Sequence, residues 1–129
     1  MLDAADLTTE SKLWIGGDWV SPTGENYFDD LNPEDDSLYG RSATGTSEDM
    51  LKAVEAAKET FKEYGSTTAK EREAWIMRAA EVMASMQDEF VAALIDEIGS
   101  PINKAMFEFN KALSMMRAAS GMARQATGK

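Results

Sequence analysis

Thr46-Ser47-Glu48-Asp49-Met50-Leu51 marks the point where the chain changes character. Thr46 or Ser47 supplies a side-chain oxygen for the free N–H groups that open a helix, and Glu48 and Asp49 set negative charge against its positive end. From there Leu51, Val54, Phe61 and Tyr64 recur at helical spacing, and Gly65 is placed as a left-handed terminator. Upstream, Gly, Asp, Pro and Asn interrupt every short apolar run; downstream such breakers are few. The pattern predicts an α+β chain with two β-hairpins over 13–45 and four helices over 46–127, preceded by a disordered tail over 1–12.

Working outward toward the C-terminus, Thr68-Ala69-Lys70-Glu71 has the pattern of a capping box, followed by Ile76, Ala79, Ala80, Met83 and Met86 on one side of a second helix. A third helix is expected from about Asp88 to Ile98 through Phe90, Leu94 and Ile95, with Gly99 as its stop. Ser100 is read as the cap of a fourth, with Pro101 at the first helical position, where a missing N–H costs nothing. Its apolar stripe is Ile102, Ala105, Met106, Phe109, Leu113 and Met116. Extended to Ala126, that helix would be about 39 Å long at 1.5 Å per residue.

Toward the N-terminus, Leu13-Trp14-Ile15 and Asp18-Trp19-Val20 flank Gly16-Gly17, a pair able to take the positive φ angles of a tight hairpin. Asn26 to Leu31 reads as a strand stopped by Asn32-Pro33, because proline donates nothing to a ladder. Leu38 to Ala43 reads as its partner across the acidic turn Pro33-Glu34-Asp35-Asp36-Ser37.

Composition narrows the chemistry. The 129 residues hold 23 acids against 13 bases, a formal charge of −10, so a phosphate backbone or an anionic membrane surface would repel the chain. There is no cysteine and no histidine. Thiolate nucleophiles, disulfides, thiolate metal sites and the commonest general base are therefore absent from it. Acidic Met1-Leu2-Asp3-Ala4-Ala5-Asp6 lacks the positive charge and apolar run of a secretory signal, which points to the cytoplasm. No stretch approaches the roughly 20 apolar residues of a membrane span. The nine methionines are read as flexible fillers of a core.

No G-x-G-x-x-G, phosphate-binding loop or zinc spacing occurs. Asp29, Asp30, Glu34, Asp35 and Asp36 could offer oxygen ligands to a hard cation, but they lack calcium-loop spacing and fit a solvated turn better. Lys52, Lys58 and Lys62 among glutamates describe an ion-paired helix face. Arg117 and Arg124, seven apart, fit a snorkelling surface pair.

Four stretches together resemble the N-terminal region of the NAD(P)-dependent aldehyde dehydrogenase superfamily. Trp14-Ile15-Gly16-Gly17-Asp18-Trp19-Val20 is similar to its I-G-G-x-W opening, and Leu31-Asn32-Pro33 to its N-P turn between strands. Ser47-Glu48-Asp49 with Ala53, Ala56, Ala57 and Phe61, then Arg72, is similar to its first helix and the arginine that follows. Glu97-Ile98-Gly99-Ser100-Pro101 is similar to its E-x-G-K-P, with serine in place of the usual lysine. That serine, Lys104-Ala105-Met106-Phe107-Glu108 and Met115-Met116-Arg117-Ala118-Ala119-Ser120-Gly121 look most like the benzaldehyde and vanillin branch.

The resemblance implies part of the cofactor-binding domain of an α/β enzyme, running over 13–129 and truncated after Gly128-Lys129. It implies oxidation of an aldehyde, in this branch an aromatic one, to its acid with NAD or NADP, by a cysteine nucleophile and a glutamate base that this chain does not contain. The chain alone is therefore expected to be inactive and to bind no cofactor, with catalytic and nucleotide-binding residues none here. Its partners would be the remainder of the enzyme, the aldehyde and further subunits of a homo-oligomer. By position, Leu31 (through its backbone carbonyl) and Glu97 match ligands of a structural monovalent cation. Phe109, Ala112 and Leu113 match the wall of an aldehyde tunnel, although ordinary core packing would place apolar residues there too. Two other roles are open: a stand-alone helical binding or scaffold protein, which would bury all four helical stripes against one another, and a short regulatory paralogue that joins full-length dehydrogenase oligomers.

Overall fold

The computed structural model describes residues 10–125, which form two compact units divided at Gly65/Ser66. The tail assigned to 1–12 falls mostly outside the described residues.

The first unit holds strands β1 (Leu13–Ile15), β2 (Asp18–Val20), β3 (Tyr27–Leu31) and β4 (Leu38–Ala43) and helix α1 (Ser47–Tyr64). β1 and β2 pair antiparallel with Trp14 opposite Trp19, whose rings meet edge-on at 4.9 Å. Gly16 (φ 66°) and Gly17 (φ 94°) make the two-residue turn, a conformation that side chains with a Cβ resist. β3 and β4 pair from Tyr27↔Ala43 to Leu31↔Leu38, with a register shift between Asp30 and Leu31. Their acidic turn is organised locally. The Asn32 Oδ1 accepts from the Glu34 N–H at 2.9 Å, Asp35 Oδ1 accepts from the Ser37 N–H at 3.0 Å, and Asp36 takes φ 58°. Asp and Asn tolerate such left-handed angles better than most residues.

Thr46, not Ser47, caps α1. Its hydroxyl accepts from the Asp49 N–H, and the Asp49 carboxylate accepts from the Thr46 N–H in return. Gly65 departs from expectation. It stays right-handed at φ −62° and continues the helical ladder with its N–H on the Phe61 carbonyl at 2.8 Å. Glycine serves close approach there, because a Cβ would stand 2.9 Å from that carbonyl oxygen.

The second unit holds α2 (Ala69–Ser85), α3 (Gln87–Asp96) and α4 (Ile102–Met122). The expected capping box opens α2, with Thr68 and Glu71 exchanging bonds. Gly99 (φ 67°) ends the turn after α3: from its left-handed backbone its N–H reaches the Ile95 carbonyl at 2.9 Å, the 5→1 bond of an αL cap, and the Ser100 N–H reaches the Leu94 carbonyl at 3.1 Å. At α4 the expectation needs correcting. Pro101 is itself the N-cap, and the Ser100 hydroxyl does not cap the helix but meets the Lys104 ammonium at 3.0 Å. The helix stops at Met122, where the N–H groups of Ala123, Arg124 and Gln125 turn to carbonyls three residues back. It does not reach Ala126, which lies outside the described residues.

Ala80, Val91, Ala105, Phe109 and Leu113 form the core of the second unit, edged by Met83, Leu94, Ile95, Met106 and Met116. Fully buried Ala105 (0 % exposed) and Ala80 (1 %) let α4 and α2 come close, because neither carries atoms beyond Cβ. Phe90 packs against Phe109 with ring centroids 5.9 Å apart. The methionines divide. Met83, Met106 and Met116 fill the core edge as expected, whereas Met50, Met77, Met115 and Met122 are exposed. Among the described residues, no helix is long and apolar enough to cross a membrane.

Candidate functional site

The face of α4 identified from sequence as a tunnel wall divides in the structure. Phe109 (2 % exposed) and Leu113 point into the core of the helical unit, while Ala112 is exposed on the flank of the same helix. The rotation of 100° per residue accounts for this: positions 109 and 113 face α2 and α3, and 112 lies off that line. A second, outward stripe of α4 carries Phe107, Met115 and Met122, all largely exposed. Lys104 sits on this outer side, bridging the buried Ser100 hydroxyl and the Glu108 carboxylate at 3.0 and 2.9 Å.

Beside the core, Trp75, Arg78, Ala79, Val82, Met83, Met86, Phe90 and Met116 line an apolar groove of about 560 Å³. Sequence reasoning named Ala79, Met83, Met86, Phe90 and Met116 but passed over Trp75, Arg78 and Val82. The row 75-79-82-86, at helical spacing, was the available signal.

The first unit has a groove of about 550 Å³ between the tip of the β1–β2 hairpin and α1, lined by Trp14, Ile15, Gly16, Ala53, Ala56 and Phe61 among others. A Cβ on Gly16 would stand 3.8 Å from that of Ala56, so space is available and only the positive φ demands glycine. The apolar stripe of α1 is helical, as expected, yet Leu51 (69 %) and Phe61 (65 %) remain exposed.

The strongest polar constellation surrounds Asp49, which is 4 % exposed. Its carboxylate accepts from the Thr23 N–H at 3.1 and 3.2 Å and from the Thr23 hydroxyl. It also accepts from the Thr46 N–H at 2.8 Å and the Thr46 hydroxyl at 2.9 Å. Lys52 donates to the Thr23 hydroxyl at 3.1 Å and pairs with Glu48 at 2.9 Å. The Thr23 hydroxyl, then the Thr46 amide, hold the Asp49 carboxyl far below the usual carboxylate range. All these donors are satisfied by structure, so the constellation fastens the loop before β3 to the start of α1 and leaves no group poised for proton transfer. In the sequence Asp49 reads as a helix-end charge and as part of the first-helix stretch that carries the resemblance, not as the anchor of a distant loop. Its tie to Thr23 spans 26 residues and has no local signature.

The two positions matched to a cation lie on different units. Leu31 closes β3 next to the register shift, and Glu97 follows α3, its N–H bonded to the Ala93 carbonyl at 2.9 Å. Among the described residues, no group of three or more Asp, Glu, His or Cys side chains converges on one point. The acidic turn behaves as a solvated loop with local partners. Asp29 pairs with Arg41 at 3.0 Å, and the side chain and then the backbone of Ser37 lower the pKa of Asp35. Arg124, in the turn just past α4, pairs with Glu73 of α2.

The aldehyde dehydrogenase family profile matches residues 19–129. The chain belongs to the aldehyde dehydrogenase family. It is 39 % identical over 102 residues to a vanillin dehydrogenase from Corynebacterium glutamicum, covering 79 % of this chain and 21 % of that protein. The crystal structure of an NAD-dependent benzaldehyde dehydrogenase from Corynebacterium glutamicum superposes with a TM-score of 0.87 at 34 % identity, over 99 % of this chain and 27 % of that one. A salicylaldehyde dehydrogenase from Pseudomonas putida G7, solved with salicylaldehyde, superposes with a TM-score of 0.83 at 26 % identity, over 88 % and 24 %. This aldehyde dehydrogenase family chain therefore spans about a fifth to a quarter of the length of these relatives. Its two hairpins and four helices are the fold of the N-terminal region of such enzymes, as the resemblance implied.

Proposed function

We propose that these residues are the N-terminal portion, over 13–129, of an NAD(P)-dependent dehydrogenase that oxidises an aromatic aldehyde to its carboxylic acid. The superposition on the benzaldehyde dehydrogenase over 99 % of this chain carries the proposal. The likeness to vanillin and salicylaldehyde dehydrogenases supports the aromatic class. The 129 residues alone are inactive on this reading, because they contain no cysteine to attack an aldehyde, and no residue of theirs is assigned to the nucleotide. In the complete enzyme, which we place in the cytoplasm as a homo-oligomer, this chain contributes scaffold.

Two local roles belong to the same proposal. The Leu31 carbonyl and the Glu97 carboxylate are hard oxygen donors suited to a monovalent cation, and a carboxylate after the last turn of a helix opposes the dipole and gains from a cation or a donor nearby. On α4, Ala112 is the tunnel candidate that solvent reaches, and Phe109 and Leu113 would shape the wall from behind through packing.

The exposed apolar stripe of α1 and outer stripe of α4 weigh against a self-contained helical scaffold, which would bury them. The test is to express the complete reading frame that contains this segment and follow NAD(P)+ reduction with benzaldehyde, vanillin and an aliphatic aldehyde. Faster turnover of the aromatic pair supports the proposal, and preference for the aliphatic substrate removes the aromatic assignment. Reduction by the 129-residue chain alone would overturn its predicted inactivity. A complete frame without a nucleotide-binding turn, glutamate and cysteine would leave the scaffold role in its place. For the cation, Glu97→Gln in the active enzyme should abolish any stabilisation by K+ or Na+ relative to choline; an unchanged thermal midpoint difference would remove Glu97 from the site.

A further inference from the structure

We draw no further inference here: the strongest candidate, the apolar groove of the helical unit between Trp75, Val82, Met86, Phe90 and Met116, is an unpartnered face, and nothing in the structure shows what covers it.

Discussion

In the helical unit, the buried apolar side chains are Ala80, Val91, Ala105, Phe109 and Leu113, whereas the hairpin unit buries a carboxylate, Asp49, beside the apolar Pro22. The first arrangement rests on the non-directional exclusion of water, with a strength that follows the area and volume buried. The second rests on aimed donors, Thr23 and Thr46, and depends on one charge being present. The two units should therefore respond to different perturbations. Loss of volume damages the helical unit, and loss of charge damages the hairpin unit.

The largest effect is expected from Phe109→Ala, which removes the central ring of the α2–α3–α4 core. Truncations of this kind cost about 3–5 kcal/mol. Amide hydrogen exchange along α2 and α4 should read it as lost protection. A cost below about 1 kcal/mol would show that the core collapses easily around the gap and is not jigsaw-packed.

Next is Asp49→Asn, which keeps the shape and removes the charge while turning an N–H₂ group toward donors. We expect a lower thermal midpoint and loss of exchange protection at the Thr23 and Thr46 amides. The pH dependence has a definite sign. The folded carboxyl titrates well below its unfolded value of about 3.9, so its stabilisation is fully present above that value. It is lost as pH falls from there toward the depressed folded value. The gap between wild type and Asp49→Asn should be constant from about pH 6 to 8 and shrink below about pH 4. A gap that persists unchanged at low pH would mean that shape, and not charge, fastens the loop.

A smaller effect sharpens the contrast within the helical unit, where Thr68→Ala removes the α2 cap. About 1 kcal/mol is typical, measured by urea unfolding. An effect near that of Phe109→Ala would make capping, and not the core, the chief support of α2. Smallest is Lys62→Ala, which breaks an exposed pair with Glu59 on α1. Pairs of this kind contribute about 0.3 kcal/mol, and a thermal midpoint shift of several degrees would show the pair to be part of a larger network.

The elements themselves were legible because their signals are local. Gly16-Gly17, Asn32-Pro33, the Thr68–Glu71 box and Gly99 act on neighbours within a few residues, and each holds in the structure. Misreadings arose where several local solutions satisfy the same backbone. Gly65 could end α1 with either handedness, and Ser100 could cap α4 or meet Lys104. The apolar stripe of α4 placed Phe109 and Leu113 where core packing buries them, whereas the exposure of the α1 stripe was beyond periodicity, which orders side chains around an axis without saying which face meets a neighbour. Catalysis is illegible here for a chemical reason: these 129 residues contain no cysteine, the nucleophile that the resemblance implies.

The Asp49 clamp also has an order in time. Ribosomes deliver the N-terminal end first, at about 5–20 residues per second. Thr23 emerges before Thr46, and Asp49 follows three residues later, so every donor that the carboxylate needs directly is already outside when it arrives. Only Lys52, which steadies the Thr23 hydroxyl, comes after it. The loop before β3 can thus be tied down while α1 is still being synthesised, and its exposed apolar stripe would emerge from an anchored end.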